Sequence, residues 1–223
     1  SVLLNFKDTK TIIYYSKTSW NLLFQRPHQI MRFINRSYNK IFITSDNTTI
    51  FEKKYNLLVI SYKYLDIIFN YLKSYYIYFT DTRLFNEIFS LKNKVKVIYY
   101  LIDAPIGEFS VWKNNLKNAV KNADIVTYSH PKLIEFLINF YKNKKYYYLS
   151  NACDYTRFSE AKNRINRRPR QFPPIKKPIL GYYGAFSSWI DYNIIEKYAN
   201  GNKYHIVMIL SLIHISEPTR LRS

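Results

Sequence analysis

The sequence predicts an α/β protein: a parallel sheet covered by helices, followed by the opening of a second unit of the same kind. Three observations predict it. Short runs rich in Val, Ile, Tyr and Phe alternate with amphipathic stretches of helical period, joined by brief connections. Apolar residues make up 48% of the 223-residue chain, enough to bury a real core and to exclude disorder as the main state. The run INRRPRQFPPIKKP, dense in Arg, Lys and Pro and without apolar periodicity, then separates the alternating series from one further strand, helix and strand. The expected divisions are a first domain over 1–162, a basic linker over 163–178 and a partial second domain over 179–210.

Taken in order, residues 11–15 (TIIYY) are β-branched and aromatic and read as the first strand. A helix is expected over 27–38, with Ile30, Phe33, Ile34 and Tyr38 on one face. Pro27 suits its first turn, where a missing N–H costs nothing. Residues 40–44 and 57–60 read as strands, and 64–74 as a helix burying Leu65, Ile68, Phe69 and Leu72. Strands over 75–79 and 95–101 follow. The second leads to Asp103, at the carboxyl edge where a doubly wound sheet presents its ligand site. After a strand at 125–128, Ser129 is placed to cap a helix with Pro131 in its first turn and Leu133, Phe136, Leu137 and Phe140 as its buried stripe. Residues 145–149 close the series. Beyond the linker, 179–183 reads as a strand, 184–188 as a turn, 189–199 as a helix and 204–210 as a strand.

Thirty-four Lys and Arg against fifteen Asp and Glu leave a formal charge of +19, which favours nucleic acid, anionic lipid or phosphorylated small molecules as partners. AT-rich codon usage accounts equally well for lysine, and for the abundant Asn, Ile, Tyr and Phe, so both explanations stay open. A lone Cys153 cannot form an internal disulfide, and no Cys/His spacing suggests zinc, so the expected compartment is the cytoplasm. No apolar run approaches the roughly 20 residues that cross a bilayer, and no signal-peptide pattern opens the chain, so a soluble protein or one peripheral to the inner membrane face is expected. The chain starts at Ser1, which suggests a start inside a longer gene. Its last thirteen residues, SLIHISEPTRLRS, resemble the translation of a transposase adapter used in sequencing libraries. Residues 211–223 are therefore expected to be non-native and to pack poorly. Setting aside Arg220, Arg222 and Glu217 lowers the charge by only one.

Three clusters carry chemistry. Trp20 with Gln25-Arg26-Pro27-His28-Gln29 places an aromatic ring, a guanidinium and an imidazole where the first helix begins, and free backbone N–H groups there favour a phosphate or carboxylate. The same residues suit a plainer reading, with Trp20 under the sheet and Arg26 at the surface. Asn151-Ala-Cys-Asp154 suits a turn after the last strand of the first domain. Gly181-Tyr-Tyr-Gly184 with Trp189 and Asp191 lies between strand and helix, where glycine lets phosphates approach the backbone.

In their order W…QRPHQ, a strand ending in Asp, NADIVTYSHPKL, SNACDYTRF and PILGYYGAFSSWID, these segments resemble the retaining glycosyltransferases of family four, particularly the branch related to teichuronic acid biosynthesis. The resemblance covers roughly residues 11–210. It implies a GT-B arrangement of two Rossmann-like domains, acceptor on the first and nucleotide-diphosphate sugar on the second, with no metal or other cofactor. It implies that Gly184 lies near the donor diphosphate, that Trp189 and Asp191 line the donor side or support it, and that Trp20, Arg26 and His28 face the acceptor. Asp103 becomes the candidate catalytic group, and Asn151 and Asp154 the turn that returns the chain between domains. The implied acceptor is anionic or lipid-linked, on a cell-surface polysaccharide or glycolipid. Two departures stand against the pattern: Asn151-Ala152 replaces an Asn-Gly pair, and Asn114 and Asn115 stand near an expected glutamate. The paired glutamates of the donor site would lie beyond Leu210, so the chain alone is expected to transfer no sugar.

Two other classes fit the residues less well. A nucleic-acid-binding module would use the charge together with 23 Tyr and 15 Phe, but these aromatics occupy periodic apolar positions, which says core. A nicotinamide-dependent enzyme needs G-x-G-x-x-G after the first strand, where this chain has Ser16-Lys-Thr-Ser19 and no glycine.

Overall fold

The computed structural model describes residues 10–16, 18–21, 24–72, 75–91, 95–164, 176–185 and 189–211. The chain divides into two compact units, Ser1–Phe158 and Ser159–Ser223. Of the adapter-like segment 211–223 only Ser211, the last residue of a strand, is described; the rest of it and most of the basic linker, 165–175, lie outside the described residues.

The first unit is built on an eight-stranded sheet. From one edge to the other it runs β3 (Thr49–Glu52), β4 (Leu57–Ser61), β2 (Asn39–Thr44), β1 (Thr11–Tyr15), β5 (Tyr75–Phe79), β6 (Val95–Leu101), β7 (Ile125–Tyr128) and β8 (Tyr146–Tyr148). All neighbours are parallel except β3 with β4. The chain therefore works outward from β1 to one edge, returns to β5 and works outward to the other, leaving a topological switch between β1 and β5. This is a Rossmann-like, mostly parallel sheet. Alternation of side chains divides the core in two. Ile13, Tyr15, Ile41, Ile77, Phe79, Val97 and Leu101 face α2 (Leu65–Tyr71), α3 (Phe85–Phe89), α4 (Lys113–Asn122) and α5 (Ile134–Ile138), which supply Ile68, Ile88, Leu116 and Leu137. On the opposite face Tyr14, Phe42, Val59, Tyr78 and Tyr100 pack with Trp20 and with Met31 of α1 (Arg26–Phe33).

Several expected boundaries move, each for a local reason. The first helix stops at Phe33, because Asn35 captures the following backbone: its Oδ1 accepts from the Ser37 N–H at 2.9 Å and its carbonyl from the Tyr38 N–H at 3.1 Å. Its buried face is His28 and Met31, and Phe33 is 62% exposed. Ser129 does not cap the next helix but donates its hydroxyl to the Ile102 carbonyl. His130 Nδ1 accepts the Lys132 N–H instead, at 3.3 Å. Strand β3 and helices α3 and α4 were not foreseen. The first shows no alternation of apolar residues, and α4 (KNNLKNAVKN) buries only Leu116, Ala119 and Val120.

Lys144 ties the end of α4 to the approach to β8. Its ammonium donates to the carbonyls of Val120 at 2.5 Å, Lys121 at 3.1 Å and Ala123 at 2.6 Å, three acceptors that the helix itself cannot satisfy. Lys144→Ala is expected to destabilise the protein by about 1–2 kcal/mol, and urea unfolding with an unchanged m-value would register it.

The second unit holds β9 (Ile179–Ala185) and β10 (His205–Ser211), paired in parallel, with α7 (Tyr192–Asn200) between them. Gly184 lies inside β9, paired with Leu210, rather than opening a turn, and residues 186–188 lie outside the described residues. Trp189 precedes the helix, which begins only after Asp191.

Candidate functional site

At the switch between β1 and β5 the connections leave the carboxyl ends of the two strands in opposite directions, and such crevices collect ligands. Near these ends, on the face toward α1, stand three tyrosines. Tyr14 pairs with Tyr78 across the ladder, their rings 5.2 Å apart, and Tyr100 follows at 5.8 Å from Tyr78. All three are buried. The Tyr14 hydroxyl lies 3.1 Å from Thr80 Oγ1, and Tyr100 donates to the Leu149 carbonyl at 2.7 Å. The Tyr78 hydroxyl has no hydrogen-bond partner among the described residues. Burial pushes all three phenols up, opposed in part by the positive charge of Arg26, so they are neutral at any physiological pH.

Arg26, the first residue of α1, brings a cation into this surface. Its guanidinium lies 5.7 Å over the Tyr100 ring, and its Nη1 is buried without a hydrogen-bond partner among the described residues. Asp103, two residues past β6, is half-buried. Desolvation raises its pKa above the ordinary aspartate value, and Arg26 pulls it back down. The result is a carboxyl that holds its proton more readily than a surface aspartate, near a guanidinium that favours an anion.

Trp20 and His28 do not enter this surface; they hold it. His28 Nδ1 accepts the Gln25 N–H at 3.1 Å, which leaves Nε2 as the protonated nitrogen, donating to the Trp20 carbonyl at 3.2 Å. Its ring packs between Trp20, at 4.4 Å, and Phe42, at 5.2 Å. Burial depresses the His28 pKa, against the opposing effect of the bond to Trp20. The Trp20 N–H donates to Thr44 Oγ1 at 2.9 Å, and this hydroxyl donates to the Thr18 carbonyl at 3.0 Å. One neutral imidazole therefore clasps the segment after β1 to the start of α1, and so sets where Arg26 lies.

Beside Arg26 a cavity of about 450 Å³ opens between α1 and the segment after β8, lined by Arg26, Gln29, Ile30, Phe33, Tyr100 and residues 149–150 and 152–156. That volume falls within the range of small-molecule pockets. Asp154 belongs to this wall, its Oδ1 accepting the Arg157 N–H at 3.2 Å at the start of α6 (Tyr155–Ser159). Asn151 is exposed next to it. In the second unit Asp191 caps α7, accepting from the N–H groups of Asn193 at 3.0 Å and Ile194 at 3.4 Å, and Trp189 is largely exposed. A Cβ on Gly184 would meet only the Tyr182 phenol, at 2.8 Å.

The structure thus groups Arg26, Asp103 and Asp154 within the first unit and puts Trp20 and His28 beneath them as supports. The tyrosines were not foreseen as part of the site. Their signal is the tyrosines near three strand ends, in IIYY, YIYF and VIYY, where alternation puts Tyr14, Tyr78 and Tyr100 on one face and Tyr99 on the other. Among the described residues no group of three or more His, Cys, Asp or Glu could hold a metal ion.

No protein-family profile and no curated sequence matches the chain. Among solved structures it is similar to an alpha-glucosyltransferase in complex with UDP-glucose and DNA containing an abasic site, with a TM-score of 0.54 and 12% identity over 86% of this chain. The chain spans 54% of that protein's length. The fold is thus GT-B-like, shared with a sugar-transferring enzyme at a sequence distance where only the fold is comparable.

Proposed function

We propose that this chain is part of a retaining glycosyltransferase that moves a sugar from a nucleotide-diphosphate donor to a polysaccharide or glycolipid acceptor, with the first unit holding the acceptor. The observation that carries the reading is a half-buried Asp103 within the electrostatic reach of Arg26, near the switch of a GT-B-like sheet. In this reaction the bond from the anomeric carbon to the diphosphate oxygen breaks, and a bond to an acceptor hydroxyl forms on the same face of the sugar, so that the configuration is retained. Asp103 takes the hydroxyl proton, and the donor diphosphate leaves as the anion. Arg26 orients the anionic part of the acceptor so that its hydroxyl stays in place. Gly184 and the start of α7, with Trp189 and Asp191, are assigned to the donor. The order of motifs in the sequence supports that assignment.

Nucleic acid is the other acceptor considered, because the solved relative is in complex with DNA and the chain carries +19. The tyrosines speak against a stacking platform, since Tyr14, Tyr78, Tyr99 and Tyr100 are all core residues. The test is radiolabel transfer from a panel of nucleotide-diphosphate sugars by the complete gene product, offered lipid-phosphate, polysaccharide and duplex DNA acceptors. Label is expected in the first or second. Label in DNA alone, or in none of the three, overturns the reading.

A further inference from the structure

We propose that the amino edge of the first unit's sheet is a docking surface for duplex nucleic acid, held through its phosphates by Lys10, Arg36, Lys53, Lys54, Lys121 and Lys142. Seven of the eight strands run the same way, so the residues that lead into them gather at one edge. Lys10 stands immediately before β1, and Arg36 lies in the turn before β2. Lys53 and Lys54 lead from β3 into β4, Lys121 ends α4 ahead of β7, and Lys142 precedes β8. All six are exposed. Contacts join neighbours along this line. Arg36 donates to the Lys54 carbonyl at 2.6 Å, and the Lys10 carbonyl accepts the N–H of Asn39, where β2 begins, at 3.0 Å. Lys121 and Lys142 line one cavity of about 430 Å³ between the end of α4 and the approach to β8.

The carboxylates that enter this edge are already engaged. Glu52 is held by Arg32 at 2.5 Å and Asp124 by Lys96 at 3.2 Å, and none of the six cations has a carboxylate partner among the described residues. The carboxyl edge is mixed instead: Asp46, Asp81 and Asp103 each stand two residues past a strand end, among Arg26, Lys63 and Arg83. A polyanion is therefore drawn to the amino edge, roughly 20 Å from Asp103 along the strands. A duplex held there is not an acceptor, so the docking stands apart from the sugar-transfer reading. Shape selects the polyanion. From β4 to β8 six strand spacings span about 29 Å, close to the ~34 Å of one duplex turn. The edge of a twisted sheet presents its cations as a curved line, which follows a rod, whereas a bilayer calls for a broad face. Phosphate contacts need no stacked bases, so the burial of the site's tyrosines does not oppose this docking.

The test is fluorescence anisotropy of two labelled duplexes of unrelated sequence, titrated with the full chain across about 50–200 mM salt, without any sugar donor. Both duplexes are expected to bind alike, with affinity falling steeply as salt rises. Each phosphate neutralised adds about 0.9 to the slope of log affinity against log salt, so removing two cations should shorten it by about 1.8. Lys53→Gln with Lys54→Gln, and separately Lys121→Gln with Lys142→Gln, should show that loss and raise the dissociation constant about tenfold at the lowest salt. Lys63→Gln with Lys132→Gln removes the same charge at the carboxyl edge, and should change the constant less than about twofold. All six substitutions are at exposed positions, and near-ultraviolet circular dichroism confirms that each variant is folded. The proposal is overturned if neither duplex binds, if the carboxyl-edge pair costs as much as an amino-edge pair, or if the amino-edge pairs leave the slope unchanged. It is overturned equally if those pairs weaken binding to phosphatidylglycerol vesicles and not to the duplexes. A failure of the glycosyltransferase reading would be seen separately, in the transfer experiment.

Discussion

Asp103→Asn is expected to lower sugar transfer by the complete gene product by about 10²–10⁴-fold, the usual worth of a positioned general base, with little change in acceptor affinity. The amide keeps the shape of the side chain and cannot take a proton. Stability separates this from a structural effect. Burial raises the Asp103 pKa, so the neutral form is the one the fold favours. The sign follows: the contribution of this group to stability is largest below the ordinary aspartate range and is lost as pH rises through the raised value. Replacing the carboxylate with a neutral amide should therefore leave the melting temperature at pH 7 unchanged or slightly higher. The same shift predicts that the acid limb of the unmodified enzyme's pH profile lies above the ordinary aspartate value and disappears in the variant. A variant that melts early, or one that keeps its activity, would remove Asp103 from the role of base.

His28→Ala should destabilise the protein by about 3 kcal/mol, the largest stability effect we expect from a single substitution around the site. It removes two buried hydrogen bonds and an imidazole packed against Trp20, Phe24 and Phe42. The imidazole also carries a pH signature. Its folded pKa is depressed by burial, so the unfolded chain binds a proton before the folded one does as pH falls. The stability contributed by His28 is complete above its unfolded pKa of about 6.5 and is lost as pH falls toward the depressed folded value. Thermal melts from pH 7.5 to 5 should show this loss in the unmodified protein. It should be smaller in His28→Gln, which can still accept from Gln25 and donate to the Trp20 carbonyl but does not titrate. Equal pH slopes in the two proteins would show that His28 does not couple to folding.

Most of the first sheet was legible because its strands are written in residues that suit little else. TIIYY, YYIYF and VKVIYYL are β-branched and aromatic runs too short for helices, and their structural bounds coincide with the expected ones at 11–15, 75–79 and 95–101. Helix α2 was legible for a similar reason, with Ile68, Phe69 and Leu72 recurring at helical period and buried as expected. Strand β3 was not legible. Its partner β4 holds it as an antiparallel edge, and an edge strand with an exposed face needs no apolar alternation of its own.

At the site the same division holds residue by residue. That Arg26 begins a helix and that Asp103 follows a strand could be read directly, since a proline at the next position and a strand end before a carboxylate are local signals. What Trp20 and His28 do could not be read. An imidazole beside a guanidinium suits a ligand site or a clasp equally well, and only the positions of the Gln25 N–H and the Trp20 carbonyl, brought together by the turn into α1, make it a clasp. The sequence by itself determined which segments are strands and helices and that a basic helix start would stand near the sheet's carboxyl edge, because propensity and periodicity act over a few neighbours. Tertiary structure alone decided that Tyr14, Tyr78 and Tyr100 form one floor, that Arg26 Nη1 is desolvated without a partner among the described residues, and that residues 149–150 and 152–156 close a cavity against α1. These depend on strand order, and strand order arises from contacts between residues far apart in the chain, which no local pattern encodes.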